Sequence, residues 1–220
     1  ANLLAASGYQ VEREYYVNDA GRQMDILALS VWLRYLQSYQ LDVPFPAQAY
    51  RGAYIEDIAR ALRERDGDAL KRAADSVPPA SASSDDERHL DDAIAAARAA
   101  LGTPTFDAMR DFAKDVILAE IADDLRAFGV EFDCWYSEAS LNRNGAIDTA
   151  IGELVEAGFI YEAAGAQWFR STDFGDEKDR VVVRDNGLKT YFASDIAYHR
   201  EKFVRGFERV VNIWGADHHG

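Results

Sequence analysis

The stretch YQVEREYYVNDAGRQMDILALSVWLRYLQSYQ, residues 9–40, decides the fold. Over residues 9–17, apolar and polar residues alternate with a period near two and include strong β-formers, which predicts a strand. Asn18 and Asp19 then offer N-capping side chains, and apolar residues recur at helical spacing through about Gln40. A strand followed at once by a helix indicates an α/β sheet, and we assign residues 1–40 to the first part of that core.

The next segment, residues 41–104, has a helical pattern of its own. YIEDIARAL and AIAAARAAL repeat apolar residues at helical spacing, and the loop VPPASASSDD separates them. Ser84 followed by Glu87 predicts a capping box for the second helix. We interpret the segment as a helical insertion.

The core pattern returns over residues 105–140. Apolar residues between Phe106 and Phe128 form one stripe of a long amphipathic helix, and Gly129 is placed to end it. The run VEFDCWY then predicts a buried strand that ends at Ser137.

Residues 141–204 predict a small antiparallel subdomain. A helix stopped by Gly158 precedes four short strands, FIYE, QWFR, RVVVR and KTYF, with turns at AAGA and DNG. Ser194 is the predicted cap of a following helix through Phe203. Over residues 205–220, ERVVNIW predicts a last core strand that leads into the loop GADHHG.

Composition narrows the class of protein. A formal net charge of −14 argues against sequence-independent nucleic-acid binding by the chain as a whole, because phosphate neutralisation needs a basic face. A cationic small substrate fits better, although acidity also simply favours solubility. The single cysteine, Cys134, excludes internal disulfides and a multi-cysteine metal site, and no apolar run suggests a signal peptide or a membrane span. We therefore expect a cytoplasmic protein.

Several strings resemble bacterial arginyl-tRNA synthetases and occur in that family's order. They are REYYVNDAGRQM (13–24), YRGAYIEDIA (50–59), FDCWYSEASL (132–141), DEKDRVVVRDNGLKTYFASDIAYH (176–199) and NIWGADHHG (212–220). The resemblance implies a class I synthetase with a Rossmann-type parallel sheet. It also implies an interior fragment without the HIGH-type and KMSK-type motifs, and hence a stretch that is inactive and poorly stable by itself.

The resemblance implies an arginine pocket on three side chains. Specific binding of a guanidinium needs hydrogen-bond acceptors, because arginine offers donors only. The family's YxxxD string matches Tyr191 and Asp195, and its substrate-facing acidic residue matches Glu138. The structural alternatives are a strand aromatic for Tyr191, a helix-dipole partner for Asp195 and an exposed loop residue for Glu138.

The loop GADHHG follows an apolar strand, at the place where ligands bind open α/β sheets. Gly215 allows close backbone approach, and Asp217 is a candidate for the substrate amino group or the ribose hydroxyls. His218 and His219 are candidates for contact with the adenosine, and they do not form a metal pair because sequence neighbours point apart and a third ligand is not evident.

Other polar residues are weaker candidates. Gln23 and Asn18, at the corner after the first strand, are within possible reach of substrate, with capping as the simpler role for Asn18. Surface or packing roles are expected for His89, in a polar loop, and for His199, on a helix.

The function implied is activation of arginine with ATP and its transfer to tRNA(Arg). ATP enters with Mg²⁺ as a substrate complex, and no prosthetic group, resident metal or covalent catalytic side chain is expected from these residues. We expect a monomer. The alternatives are another class I nucleotidyl-transfer enzyme and a non-catalytic binding module derived from a synthetase.

Overall fold

The computed structural model describes residues 1–78 and 86–215, which form two compact units. The first unit comprises Ala1–Glu14 and Asp19–Cys134, and the second comprises Tyr15–Asn18 and the chain from Trp135 onward. Ser84, the predicted capping residue, and the candidates Asp217, His218 and His219 lie outside the described residues.

The first unit is helical. Its helices are α1 (Asn2–Ala6), α2 (Arg22–Gln37), α3 (Ala53–Asp66), α4 (Asp86–Leu101) and α5 (Thr103–Ala127), with a 3₁₀ turn at Ala74–Ser76.

Helix α2 is the centre of this unit. Trp32, Leu33, Tyr35 and Leu36 are each 0% exposed, as expected of a helix that is apolar on nearly all sides. The indole Nε1 of Trp32 donates to the carbonyl of Leu70 at 3.0 Å, so its one polar atom is satisfied in the core. Helices α3, α4 and α5 pack around α2 in one hydrophobic cluster.

The second unit contains both sheets. Strands β1 (Glu14–Val17) and β2 (Cys134–Ser137), which begin in the first unit, form a parallel pair, and β3 (Ile160–Ala163), β4 (Ala166–Phe169) and β5 (Arg180–Val183) form an antiparallel sheet in that order. The remaining elements are α6 (Glu138–Arg143), α7 (Ala146–Glu156), α8 (Tyr191–Val204) and a 3₁₀ turn at Ser171–Phe174. The α/β prediction, with a parallel sheet and a small antiparallel subdomain, is confirmed.

The predicted helix ends and turns in these units are largely confirmed. Gly129 after α5 and Gly158 after α7 have φ of 85° and 77°, values that a residue with a Cβ rarely adopts. In the AAGA turn, Ala164 and Gly165 have φ of 52° and 76°, the two positive values of a type I′ hairpin. The DNG turn also forms, because the amide of Arg184 donates to the carbonyl of Leu188 at 2.9 Å.

The start of α2 differs from the prediction. Gly21 is its N-cap residue, so the prediction of Asn18 or Asp19 at the N-cap position is wrong. Asp19 is instead buried, and its carboxylate lies 3.8 Å from the Nζ of Lys114. The helix also ends at Gln37, before the predicted Gln40.

The two core strands are shorter than predicted. β1 covers only the end of residues 9–17, and β2, predicted as buried over VEFDCWY, is half-buried and starts at Cys134. Alternating polarity favours an extended strand. The backbone hydrogen bonds of a ladder form only where a neighbouring strand is paired with that segment. Because β2 spans four residues, the pairing of β1 is limited to a similar length.

Helix α8 starts earlier than predicted. Thr190 is its N-cap, and its Oγ1 accepts a hydrogen bond from the amide of Ala193 at 3.4 Å, so Ser194 lies buried inside the helix and does not cap it. The predicted strand KTYF is also wrong, since only Lys189 bridges to Val183 before the helix begins. A local side-chain cap therefore prevails over the β-propensity of the aromatic pair.

The predicted strand ERVVNIW is not observed. Residues 208–214 form no strand within the described part of the chain, and Val211, Ile213 and Trp214 are 74%, 92% and 62% exposed. An apolar, β-branched sequence becomes a strand only where a neighbour supplies its ladder hydrogen bonds. Among the residues that the structure describes, no helix is both long enough and apolar enough to cross a bilayer.

Candidate functional site

Glu138 lies where β2 ends and α6 begins. Its preceding residue, Ser137, is the N-cap of α6, and only 6% of Glu138 is exposed. The alternative of an exposed loop glutamate is therefore wrong. A carboxylate is expensive to bury unless partners stabilise it, so this position supports a specific role for the charge.

Tyr191 and Asp195 lie one turn apart on α8. Tyr191 is 81% exposed and is the first residue of the helix, so the alternative of a strand aromatic is wrong. Asp195 is exposed and lies beyond the first turn, where the field of the helix dipole has largely fallen off. Both side chains are accessible to a ligand.

The opposite side of α8 is held against the sheet of the second unit. Ala193 and Ala197 are fully buried, and the ring of Tyr198 packs against those of Tyr16 on β1 and Tyr136 on β2, with centroids 4.7 and 4.9 Å away. Helix α6 also packs against α8. The fold thus brings the helix that begins at Glu138 into contact with the helix that carries the YxxxD pair.

An open cleft of about 360 Å³ lies beside Tyr191. Arg180 and Arg184 line it together with Asp176, and the Arg180 guanidinium donates to both carboxylate oxygens of Asp176 at 2.6 and 2.9 Å. This bidentate contact holds the pKa of the Asp176 carboxyl well below its usual range. Since that carboxylate is already neutralised, the cleft does not suit a cation.

The segment after α8 is tied to that helix by Asn212. The Nδ2 of Asn212 lies 3.0 Å from Nε2 of His199, and the Nζ of Lys202 donates to Asn212 Oδ1 at 3.2 Å. The Nδ1 of His199 lies 2.8 Å from the backbone carbonyl oxygen of Asp195. Sequence reasoning gave His199 only a surface or packing role and did not consider Asn212 or Lys202. The i, i+4 spacing of Asp195 and His199 was the one local signal available.

The sequence profile described as "tRNA synthetases class I (R), catalytic domain" matches residues 1–218. The chain belongs to this family. Among curated relatives, arginine–tRNA ligases of Thioalkalivibrio sulfidiphilus and Hydrogenovibrio crunogenus are 56% and 53% identical over the whole of this chain. The chain spans 38% and 39% of the length of these two relatives.

Solved structures agree with the family assignment. The Campylobacter jejuni protein assigned as an arginyl-tRNA synthetase is similar over 99% of this chain and 42% of its own, with a TM-score of 0.76 and 35% identity. The Thermus thermophilus arginyl-tRNA synthetase aligns over 90% of this chain and 30% of its own, with a TM-score of 0.52 and 23% identity. The second likeness concerns the fold alone.

The other candidate positions of this synthetase domain are only partly described. Gly215 is exposed at the end of residues 208–215, and the loop beyond it is outside the described residues. Asn18, in the second unit, is exposed. Gln23, in the first unit, is exposed and its Oε1 accepts from the Tyr50 hydroxyl at 3.3 Å.

In the first unit, neither His89 nor the cluster of Glu12, Glu14 and Cys134 forms a functional site. His89 is a half-buried residue of α4 and not part of a polar loop, in keeping with a packing role. Among the described residues, Glu12, Glu14 and Cys134 place possible metal-ligand atoms within 4.8 Å of one another. Acidic groups at a surface often cluster without a metal, so this arrangement alone does not make a metal centre.

Proposed function

We propose that this chain supplies the amino-acid pocket of an arginine–tRNA ligase, an enzyme that activates arginine with ATP and transfers it to tRNA(Arg). The observation that carries the proposal is the arrangement of acceptors at α6 and α8: a buried carboxylate at Glu138, and Tyr191 and Asp195 accessible one turn apart. The family match and the names of the relatives support the same reaction.

The pocket would recognise arginine by charge and by hydrogen-bond direction. A guanidinium has donors on all its nitrogens, so carboxylate oxygens on Asp195 and Glu138 and the hydroxyl oxygen of Tyr191 are suitable acceptors. Arg184 and the Asp176–Arg180 pair line the cleft beside Tyr191, so the one carboxylate of that cleft is already neutralised and does not attract the cation. We therefore place the substrate side chain on the Asp195 side of Tyr191.

The chemistry needs no covalent bond to the protein. The arginine carboxylate attacks the α-phosphorus of ATP, a new P–O bond forms, and pyrophosphate leaves with the electrons of the broken P–O bond. Mg²⁺ enters with ATP and offsets phosphate charge. We propose that Gly215, Asp217, His218 and His219 face the nucleotide, and that Asp217 also takes the arginine amino group.

The location, the oligomeric state and the domain division of the protein follow from the same family assignment as proposals. We propose a cytoplasmic monomer without a prosthetic group, and the division of the chain at residues 40, 104, 140 and 204 stays a prediction. Light scattering on the full-length enzyme tests the monomer.

Exchange of radioactive pyrophosphate into ATP tests the reaction in the full-length enzyme, with tRNA(Arg) present. Arginine should drive the exchange, and citrulline should not, because its ureido group replaces a charged donor with a carbonyl acceptor that faces the carboxylates. Exchange driven equally by both amino acids would exclude a pocket that recognises the positive charge of the guanidinium. Exchange driven by neither would exclude the ligase.

A further inference from the structure

A directed chain of hydrogen bonds joins residues 208–214 to α8. Lys202 Nζ donates to Asn212 Oδ1 at 3.2 Å, Asn212 Nδ2 lies 3.0 Å from His199 Nε2, and His199 Nδ1 lies 2.8 Å from the carbonyl oxygen of Asp195. All of these residues belong to the second unit.

The direction of each bond follows from the donors available. An ammonium only donates, so the Asn212 oxygen must face Lys202 and its NH₂ group must face His199. The NH₂ group also only donates, so Nε2 of His199 accepts. The imidazole is therefore neutral with its proton on Nδ1, where it donates to the Asp195 carbonyl.

The burial of Lys202 indicates that its contact with Asn212 is a structural interaction and not a chance surface contact. Lys202 is only 9% exposed, and its ammonium lies 4.0 Å from the ring centroid of Tyr198. A buried ammonium needs polar partners, because it has lost its hydration. Asn212 supplies one of them, and the charge of Lys202 in turn orients the amide.

The position of Asn212 connects this series of hydrogen bonds to both proposed substrate contacts. Asn212 precedes Gly215 by three residues, and the loop from Gly215 onward carries the proposed nucleotide contacts. At the other end, His199 holds the carbonyl of Asp195, the proposed arginine contact. The neighbouring side chains of Val211 and Ile213 are 74% and 92% exposed and do not anchor the segment in a core.

We propose that Asn212 is a positioning residue that, through His199 and Lys202, holds residues 208–215 against the helix proposed to bind arginine. The inference rests on the proposed function, in which the arginine carboxylate must meet the α-phosphorus in line. Misplacement of one substrate relative to the other slows such a reaction without loss of either binding pocket.

The substitution Asn212→Asp in the full-length enzyme tests this role. The new carboxylate still accepts from Lys202, but it turns an acceptor toward Nε2 of His199, which is also an acceptor in the neutral ring. Only an imidazolium can then bond both the carboxylate and the Asp195 carbonyl. The ring of Tyr198 lies 5.7 Å from the His199 ring between centroids, Lys202 connects to His199 through Asn212, and the adjacent Arg200 is paired with Glu153 of α7.

The expected result is a change in the pH profile. At pH 8 the variant should have kcat/KM for ATP lowered about tenfold relative to the parent enzyme, the loss expected for about one hydrogen bond. The ratio of variant to parent should rise as the pH is lowered from 8 to about 6, because only an imidazolium can bond both neighbours. The equilibrium affinity for arginine should change less than about twofold.

The matched control is Asn186→Asp, which makes the same charge change in an exposed turn. Its Oδ1 accepts from the amide of Leu188 at 3.0 Å, a role that a carboxylate retains, so the control should follow the parent at every pH. A variant-to-parent ratio for Asn212→Asp that is flat with pH, or equal losses of arginine and ATP binding, would overturn the inference.

A second pair of variants covers a failure of Asn212→Asp to fold. His199→Gln offers an amide oxygen to Asn212, whereas His199→Leu offers no acceptor, so His199→Gln should retain more of the ATP kcat/KM than His199→Leu. Equal activities would overturn the role. The parent's own arginine-dependent exchange tests the proposed function separately, and ¹⁵N spectra of the His199 ring test the tautomer without activity: a proton on Nε2 in the parent at pH 8 would also overturn the inference.

Discussion

The side chains of Tyr191 and Asp195 lie one helical turn apart on α8, and both are exposed, while Ala193 between them is fully buried. The helix therefore presents one polar side and packs the other against the sheet. A ligand can reach both side chains without any displacement of the core. This relationship allows Tyr191 and Asp195 to be changed with little effect on folding.

Asp195→Asn in the full-length enzyme should weaken arginine binding. The change keeps the shape but turns an amide donor toward a cation that has donors only. Asp195 is exposed, so the cost of losing a hydrogen bond to a charged group, about 1.5–3 kcal/mol, applies, and the dissociation constant for arginine should rise roughly 10- to 150-fold. ATP affinity should change little.

Separate equilibrium titrations with arginine and ATP measure this effect. Asp173→Asn, an exposed change in the 3₁₀ turn at Ser171–Phe174, is the matched control and should bind both substrates normally. Asparagine caps or borders a helix about as well as aspartate. An unchanged arginine constant would therefore remove Asp195 from the pocket.

Glu138→Gln should also weaken arginine binding, because it removes a buried negative charge at almost constant volume. We expect a loss of at least about 30-fold, corresponding to about 2 kcal/mol. Glu156→Gln, on the exposed end of α7, is the control for the loss of one charge. Calorimetry with arginine would contradict the assignment if both variants bound equally well.

The 220 residues in isolation should show no arginine-dependent pyrophosphate exchange, with or without tRNA, whereas the full-length enzyme should show it. They should also unfold at low denaturant without a cooperative transition, because the apolar residues Val211, Ile213 and Trp214 are largely exposed. A sharp unfolding transition of a protein with this mass would disprove the stability prediction. Measurable exchange would disprove the inactivity.

Asp176→Asn should destabilise the antiparallel sheet in a pH-dependent way. The Arg180 guanidinium lowers the pKa of the Asp176 carboxyl in the folded protein, so this pair adds stability above the unfolded-state value of about 3.9 and loses it as the pH falls through the lower folded-state value. The variant should thus be less stable than the parent at pH 7, and the difference should shrink toward pH 2. Thermal melts across this range measure it, and a difference that grew on acidification would contradict the assignment.

Local sequence signals predicted the helical elements well, with errors at their boundaries. The ends of α5 and α7 were placed correctly because Gly129 and Gly158 follow the last periodic apolar residue. The start of α8 was misplaced because Thr190 and Ser194 are both good caps, and only the packing of Ser194 into the core selects the first.

The candidate site divides in the same way. The resemblance assigned Tyr191, Asp195 and Glu138 to the pocket, and the sequence itself showed only that the first two lie four residues apart. The sequence could not show that Glu138 is buried, or that Asn212 contacts His199 and Lys202, because those facts depend on chain segments that are distant along the sequence.

By itself, the sequence indicated the family through the resemblance of several strings, and it determined most helices and the hairpin turns, since these depend on periodicity and backbone preferences over a few residues. Tertiary structure decided which β-prone segments became strands: residues 14–17 pair with β2, whereas residues 208–214 remain outside any strand of the described chain. The physical reason is that ladders, burial and buried hydrogen bonds each require a partner, and the partner's position is a property of the fold.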